Sequence, residues 1–179
     1  MPDASNVYSG VCHIAVGANI QPETNIPQAL DYLNRLTPVT ALSTFFRTKA
    51  INRPEQEDYL NGAVSVDYAG SLHDLKHLVL RRVEKLLGRK RTSDPYAPRP
   101  IDLDIALCGD TVIQTPELVI PDPDIRRRPF LAAALLELEP ELIMPDSRLL
   151  LRQEISQELL STLVPADAFS KALKERFTI

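Results

Sequence analysis

Two carboxylates lie side by side in the middle of the chain, in a pattern that suits metal binding. Asp102 and Asp104 are separated by one residue within an apolar stretch, 101–107, that is typical of a buried strand. Successive side chains of a strand point to opposite faces, so both carboxylates project from the same face. Neighbouring carboxylates repel each other, and a divalent cation offsets that repulsion. Because Mg²⁺ typically binds one or two carboxylates together with phosphate oxygens and water, the pair predicts a magnesium site for a phosphorylated ligand.

A run of cations precedes this strand. Within 81–99 lie seven of the twenty lysines and arginines of the chain: Arg81, Arg82, Lys85, Arg89, Lys90, Arg91 and Arg99. A run of charges is by itself most often a solvated helix face, but its position directly before an Asp-x-Asp strand predicts a local phosphate-binding loop. The formal net charge of the whole chain is −4, which argues against a general binder of nucleic acids or other polyanions.

The glycines exclude the common backbone cradles for phosphate. The six glycines form neither a Walker A motif nor a G-x-G-x-x-G loop. A triphosphate would therefore be held by guanidinium groups and Mg²⁺. Transfer chemistry of that kind depends mainly on positioning and charge neutralisation, so the protein need not supply a covalent nucleophile.

The length and composition predict one domain over residues 1–179. A chain of 179 residues, 44% of them hydrophobic, is long enough for one core and short for two. No apolar run approaches the roughly 18 residues of a membrane span, and the first residues lack the basic and then apolar order of a secretory signal. We therefore expect a cytoplasmic monomer that acts on small molecules, without nucleic-acid or membrane partners.

Two pairs of potential metal ligands are expected to be structural. Cys12 and Cys108 lie in apolar, strand-like surroundings without a metal-binding spacing, so we expect reduced, buried thiols and no disulfide. His73 and His77 have the i, i+4 spacing of a zinc site on a helix. Without a third ligand nearby, a solvated helix face is the favoured interpretation.

The order of apolar segments predicts an α+β protein. Apolar or alternating runs indicate strands at 12–19, 39–48, 59–68 and 101–107, and 3.6-residue spacing indicates helices at 26–36, 72–86 and 130–138. The first six of these elements follow the β-α-β-β-α-β order of a ferredoxin-like sandwich. Additional amphipathic helices are expected at the C-terminus, over about 151–179.

Capping residues mark the ends of the first two helices. Asn25 is the expected N-cap of the first helix, with Pro27 in its first turn. Ser71 is the expected cap of the second helix, with Asp74 three residues on, and Gly88 stands where that helix ends. The segment 89–98, polar and rich in helix-breaking residues, follows this helix, and we expect it to be a mobile lid over a bound nucleotide.

Several motifs resemble one enzyme family. The segment 97–105, Ala-Pro-Arg-Pro-Ile-Asp-Leu-Asp-Ile, closely resembles the core motif of the 6-hydroxymethyl-7,8-dihydropterin pyrophosphokinases of folate biosynthesis. Further segments resemble the family's motifs in the same order along the chain: 17–19 (Gly-Ala-Asn), 46–48 (Phe-Arg-Thr), 58–61 (Asp-Tyr-Leu-Asn), 128–130 (Arg-Pro-Phe) and 136–142. The resemblance covers about 11–150 and implies the ferredoxin-like fold.

The resemblance also implies a reaction and a site. The family transfers the β,γ-diphosphoryl group of ATP to the hydroxymethyl oxygen of the pterin and releases AMP. Asp102 and Asp104 would bind two Mg²⁺ ions, and Arg89 and Arg99 would act with them as catalytic residues that clamp the phosphates. The resemblance places the nucleotide near Arg91, Arg128, Glu84 and Asp122. It places the pterin near Asn61, Phe130, Tyr59 and Thr48.

The sequence departs from the family's pattern at the nucleotide side. Tyr96 stands where the family usually has a loop tryptophan, and Pro95 where it prefers a charged residue. Asp122 stands where a nucleotide-contacting histidine is expected, and a carboxylate there would repel a triphosphate. Arg126 and Arg127 follow closely and are expected to offset that charge.

Two other functions are compatible with the fold order. A non-catalytic or divergent pterin- or nucleotide-binding domain of the same fold is the alternative, favoured if Asp122 prevents ATP binding. An RNA-binding module shares the fold order, but the strands lack the aromatic and basic pattern of such modules.

Overall fold

Alternating apolar residues build a central sheet. The computed structural model describes residues 7–178, and its strands are β1 (Tyr8–Ala18), β2 (Val39–Leu42), β3 (Phe46–Thr48), β4 (Tyr59–Gly70), β5 (Asp102–Cys108), β6 (Ile113–Gln114), β7 (Val119–Ile120) and β8 (Val164–Pro165). Six of them form one antiparallel sheet in the order β5-β1-β4-β3-β8, with β2 paired to β4 beside β3. β6 and β7 form a separate ribbon.

Helices cover both faces of this sheet. They are α1 (Pro22–Leu36), α2 (Leu72–Asp74), α3 (Arg81–Leu86), α4 (Asp124–Arg127), α5 (Pro129–Leu138), α6 (Leu151–Glu154), α7 (Gln157–Ser161) and α8 (Asp167–Phe177). A π-helical turn, Leu75–Leu80, joins α2 to α3, so 72–86 is one continuous helix. Among residues 7–178, none of the helices has the length and apolar character needed to cross a membrane.

The predicted ferredoxin-like order is confirmed. The elements β1, α1, β2 with β3, β4, the 72–86 helix and β5 follow one another as β-α-β-β-α-β. The predicted strand 39–48 is interrupted, because Ser43 exchanges hydrogen bonds with Ala63: its amide donates to the Ala63 carbonyl at 3.0 Å, and its hydroxyl accepts the Ala63 amide at 2.9 Å. The C-terminal segment contributes β8 to the sheet as well as the expected helices.

The predicted start of the first helix is wrong. α1 begins at Pro22, whose missing N–H costs little at the first helical position. Asn25 lies inside the helix and donates from its side chain to the carbonyl of Ile20 at 2.7 Å. Pro27 is therefore also inside the helix, beyond the first turn. For the second helix, the Ser71 cap and the left-handed Gly88 (φ 78°) are as predicted.

The expectation of two reduced thiols is also wrong. Cys12 and Cys108 are paired across β1 and β5 with Cα atoms 4.2 Å apart, and their sulphur atoms are joined in a disulfide. The register between the strands shifts so that Ile14 pairs with Ile105 while His13 pairs with Leu107. This β-bulge changes which face the end of β5 presents, and it brings Cys108 onto the face of Cys12.

The two faces of the sheet have separate cores. On one face Ile14 and Val16 of β1 are buried in the cluster that includes α1 and the 72–86 helix. On the other face Leu131 and Leu135 of α5 pack in a cluster that includes Ala63 of β4. α5 covers only part of this second face. The uncovered part is a cleft at the edge of the sheet where β1 ends and β4 and β5 begin.

Candidate active site

A cleft of about 340 Å³ opens on the face of the sheet that carries α5. Its floor comes from β1, β4 and β5, and its walls come from two loops, 49–58 and 89–100, and from the beginning of α4 and α5. The residues around it are Ala15, Val16, Gly17, Thr48, Lys49, Ala50, Ile51, Gln56, Tyr59, Asn61, Pro95, Tyr96, Arg99, Asp102, Asp104, Asp122, Asp124, Arg128, Phe130 and Leu131.

Most of the site residues expected from the sequence line this one cleft. Of the residues predicted for the phosphates and metal, Arg99, Asp102, Asp104, Asp122 and Arg128 line it, and of those predicted for the pterin, Thr48, Tyr59, Asn61 and Phe130 line it. Arg89, Arg91 and Glu84 do not line it. Both arginines pair with Glu84, and Arg89 also pairs with Asp102. Strand alternation therefore brings the carboxylate pair to the same cavity as the amide and aromatic side chains.

The two carboxylates of β5 lie over small residues of β1. Asp102 is opposite Gly17 in the register, and Asp104 is opposite Ala15. Ala15 presents only a methyl group to the cleft, whereas the space beside Gly17 is occupied by the Asn61 amide oxygen. Burial raises the pKa of Asp104 to about 7, and the charge of Asp102 adds to the rise. A carboxyl group that is held partly protonated by its surroundings gains most from a cation placed beside it.

Asp102 has the opposite shift because arginines surround it. Burial alone would raise the pKa of Asp102, but the charges of Arg89 and Arg99 outweigh burial and hold it below its usual value. Arg89 donates to Asp102 Oδ1 and Arg99 donates to Asp102 Oδ2. Asp102 is thus ionised and fully paired.

Glu84 supports this arrangement from the 72–86 helix. Its side chain is only 3% exposed and accepts hydrogen bonds from Arg89, from Arg91 at 3.0 Å, and from the backbone amide of Leu103 at 3.0 Å. Burial raises its pKa. Glu84 therefore fixes β5 and two arginines to the helix, and its contacts are with protein groups behind the cleft.

The wall of the cleft opposite the carboxylates is built on β3, β4 and α5. The side-chain amide of Asn61 donates to the Thr48 hydroxyl at 2.7 Å, which fixes the amide at the cleft wall. Tyr59 is paired with Thr48 in the register, and burial raises its pKa. Phe130 is in the first turn of α5 and is half-buried. An aromatic face and a fixed amide are the groups that a flat heterocycle with a polar rim requires.

Asp122 and its neighbours form the far wall. Asp122 Oδ1 accepts the backbone amide of Asp124 at 2.8 Å, and Asp124 accepts a hydrogen bond from Arg128 Nε at 2.7 Å. Burial raises the pKa of Asp122. Arg126 instead binds Asp146 and Glu154 outside the cleft, so the expectation that it offsets Asp122 is wrong. Arg128, next to Asp124, is the arginine that lines this wall.

The two wall loops are bound to each other through Gln56 and Arg53, which the sequence did not single out. Gln56 donates to the carbonyl of Tyr96 at 2.8 Å and accepts from the side chain of Asn19 at 3.1 Å. Arg53 pairs with Asp94 at 3.0 Å. The polar character of 49–58 indicated only a loop, because contacts between two loops leave no periodic signal in the sequence.

Comparison with known proteins identifies the family. The family model for 7,8-dihydro-6-hydroxymethylpterin-pyrophosphokinase (HPPK) matches residues 13–140. The chain belongs to this family. An HPPK family member from Haemophilus influenzae, named 2-amino-4-hydroxy-6-hydroxymethyldihydropteridine pyrophosphokinase, is 32% identical over 142 residues, which are 77% of this chain and 87% of the relative. A protein of the same name from Synechocystis sp. is 34% identical over 152 residues, 82% of this chain and 76% of that one.

A solved structure supports the fold. The HPPK-DHPS protein of Plasmodium falciparum matches 98% of this chain with a TM-score of 0.58 and 12% sequence identity. This chain covers 47% of that one, so it corresponds to about half of the length of the solved chain. The HPPK family match and this likeness agree with the ferredoxin-like order seen here.

Proposed function

We propose that this chain transfers the diphosphoryl group of ATP to the hydroxymethyl oxygen of 6-hydroxymethyl-7,8-dihydropterin and releases AMP, as a pyrophosphokinase of folate biosynthesis. The proposal rests on one observation in a chain that belongs to the HPPK family. A single cleft contains the carboxylate pair of β5, and the amide and aromatic side chains of β4 and α5 face that pair.

The pterin is assigned to the wall formed by Asn61, Thr48, Tyr59 and Phe130. Asn61 supplies the fixed amide for the polar edge of the ring, and Phe130 supplies the face on which the ring stacks. Thr48 holds the Asn61 amide in one orientation. This wall orients the hydroxymethyl group towards Asp102 and Asp104.

The triphosphate is assigned to the side of the cleft that carries Asp102, Asp104, Arg99 and Arg128. The hard oxygen ligands suit Mg²⁺, and we propose that the two carboxylates hold two Mg²⁺ ions. Within residues 7–178 no group of three or more His, Cys, Asp and Glu side chains is placed to hold a metal. We propose that phosphate oxygens and water supply the remaining ligands. When bound, Mg²⁺ supplies charge neutralisation for the phosphates.

At the β-phosphorus the reaction forms one P–O bond and breaks another. The hydroxymethyl oxygen bonds to the β-phosphorus of ATP while the bond from that phosphorus to the bridging oxygen of the α-phosphate breaks, AMP leaves with that oxygen, and the hydroxyl proton passes to water. Arg99 stabilises the negative charge that develops on the phosphate oxygens. Arg89, held between Asp102 and Glu84, keeps the metal-binding carboxylate in place.

The proposal extends to the whole chain. The C-terminal segment belongs to the same domain because β8 pairs with β3 and the amide of Phe45 donates to the Ser170 hydroxyl at 2.9 Å. We propose that the chain acts as a monomer in the cytoplasm, on small molecules alone, and that residues 1–179 form one domain. Sedimentation velocity of the protein with and without substrates tests the monomer.

AMP release tests the function. Purified protein is incubated with ATP and Mg²⁺, with and without 6-hydroxymethyl-7,8-dihydropterin, and AMP is measured by chromatography. AMP is expected only when the pterin is present, and it should be lost with Asp104→Asn but kept with Arg47→Ala, whose parent side chain pairs with Glu23 on the surface. Binding of either ligand without AMP would instead support the non-catalytic binding domain.

A further inference from the structure

Both oxygens of Asp102 are engaged by arginines. Arg89 Nη1 donates to Oδ1 and Arg99 Nη1 donates to Oδ2. The three side chains are 22%, 10% and 26% exposed in the order Asp102, Arg89, Arg99, so solvent screens these pairs only in part. A carboxylate oxygen has lone pairs for more than one partner. However, a divalent cation bound there would be a like charge a few ångströms from two guanidinium groups, and the repulsion is strong in a half-buried site.

The two arginines are not held equally. Arg89 is also bound to the buried Glu84 and lies 3.4 Å from the carbonyl of Ile101, so it has a second carboxylate to balance its charge if Asp102 turns to a cation. Among residues 7–178, Arg99 has no hydrogen bond or ion pair with a second carboxylate. Its Nη2 donates to a main-chain carbonyl, that of Pro95 in the 89–100 loop.

The backbone of Arg99 is fixed, although its guanidinium has fewer hydrogen-bond partners than that of Arg89. Its amide donates to Asn19 Oδ1 at 2.8 Å, and its carbonyl accepts the amides of Asn19 and Ile20 at 3.1 Å each. Any rearrangement is therefore confined to the side chain of Arg99, which can turn within the cleft while the start of β5 stays in place.

We infer that Arg99 is an exchangeable counter-ion of Asp102: it competes with a divalent cation for the carboxylate until a triphosphate binds its guanidinium. This inference rests on the proposed function, because it gives the triphosphate the role of drawing Arg99 away. Asp102 becomes a good cation ligand only once Arg99 has left it. Cation and nucleotide binding are then coupled through one side chain, and the cation alone binds poorly.

The inference gives Arg99 two effects of opposite sign. Arg99→Ala should lower turnover by about 10² to 10⁴, because an arginine that neutralises transition-state charge is lost. The same substitution should strengthen binding of a cation to the protein without nucleotide. An arginine that serves only the phosphates would give the first effect without the second.

Titration with Mn²⁺ alone, followed by the electron paramagnetic resonance signal of free Mn²⁺, tests the second effect. Arg99→Ala is expected to bind Mn²⁺ about tenfold more tightly than the parent. Arg99→Gln, which keeps a hydrogen-bond donor but no charge, should bind more tightly than the parent as well, and it serves if the alanine variant does not fold. Combining Arg99→Ala with Asp102→Asn should abolish the gain.

Arg128→Ala is the matched control. Arg128 lines the same cleft and carries the same charge, but it pairs with Asp124 rather than Asp102. Its removal is expected to change Mn²⁺ affinity less than about threefold. The inference is overturned if Arg99→Ala and Arg99→Gln stay within twofold of the parent, or if Arg128→Ala gains as much as they do.

The AMP assay of the parent separates this inference from the proposed function. A parent that releases AMP but whose Arg99 variants show no gain in Mn²⁺ affinity overturns the counter-ion role alone. A parent that releases no AMP, with a clear gain in the variants, overturns the proposed reaction and leaves the competition for Asp102 standing.

Discussion

Gly17 and Asn61 face each other across β1 and β4, and the Asn61 amide oxygen occupies the space that a side chain on Gly17 would fill. A Cβ added to Gly17 would overlap that oxygen. The absence of a side chain at Gly17 thus allows Asn61 to lie against the strand and to donate to Thr48. Position 17 therefore requires glycine, because the Asn61 side chain of β4 lies close against the backbone of β1.

Gly17→Ala is therefore expected to weaken pterin binding by displacing the Asn61 amide. A loss of about 1 to 3 kcal/mol follows from leaving the polar edge of the pterin unpaired, and isothermal titration calorimetry measures it. Asn61→Ala should cause a similar loss, and Gly17→Ala added to Asn61→Ala should cost little more. Additive losses would show that the alanine acts on something other than Asn61.

The carboxylate site was predictable because it depends on a local rule. Strand alternation places Asp102 and Asp104 on one face whatever the rest of the fold does, and the structure has both in the cleft. The ferredoxin-like order followed in the same way from the period of the apolar residues. Of the residues that the family motifs supplied, the cleft contains Asn61 and Phe130 among others, whereas Glu84, Arg89 and Arg91 do not line it.

The predictions for Cys12, Cys108 and Arg126 were wrong because they depend on features that strand alternation and local spacing do not encode. Simple alternation along β5 would place Cys108 on the face of Asp102 and Asp104, and only the bulge that leaves Ala106 unmatched turns it towards Cys12. The ion pairs of Arg126 with Asp146 and Glu154 join residues about twenty to thirty positions apart, so its distance from Asp122 in the sequence was misleading.

The loop 89–98 is expected to close over the nucleotide as a lid. In this structure it is held to the neighbouring loop by contacts at Arg53 and Gln56 that lie near the surface, and such contacts open readily. Amide hydrogen exchange over 91–97 should slow when a non-hydrolysable ATP analogue, Mg²⁺ and the pterin are all bound. α8 serves as the internal reference, and an equal rate in free and ternary protein would mean that the loop is not a lid.

His13 is expected to make stability depend on pH. It is buried under the end of α5, with Nδ1 3.0 Å from the Ser65 hydroxyl and Nε2 3.3 Å from Glu139. Burial lowers the pKa of His13, and Glu139 offsets this only in part. A base with a lowered pKa in the folded protein stabilises the fold above its unfolded pKa of 6.5, and this stability is lost as the pH falls below that value.

Urea unfolding at pH 7 and pH 5 measures this contribution. Relative to His13→Gln, the free energy of unfolding of the parent should fall with decreasing pH, by at most about 1.4 kcal/mol per pH unit for one proton. His13→Gln should remove that part of the dependence, whereas His73→Gln, at a solvent-exposed position, should keep it. The comparison with the variant is needed because the raised pKa of Asp104 changes stability in the opposite direction in both proteins. The same slope in the parent and in His13→Gln would contradict the assignment.

Asp104→Asn is expected to separate stability from activity. Asp104 has no ion-pair partner among residues 7–178, and burial and Asp102 raise its pKa to about 7. Because the folded pKa of this acid is raised, the parent should lose stability as the pH rises through 7 in the absence of divalent cations. With EDTA present, Asp104→Asn should therefore have a higher Tm than the parent at pH 8, and the difference should be smaller at pH 5 and vanish only below the ordinary pKa of 3.8. Turnover with Mg²⁺ should nevertheless fall at least about 10²-fold, because a metal-binding charge is lost.

Asp102→Asn should lower turnover as well, but it should not raise the Tm, since it removes the partner of Arg89 and Arg99. Turnover of Asp104→Asn within threefold of the parent, or a lower Tm at pH 8, would show that Asp104 is a structural carboxylate and not a metal ligand.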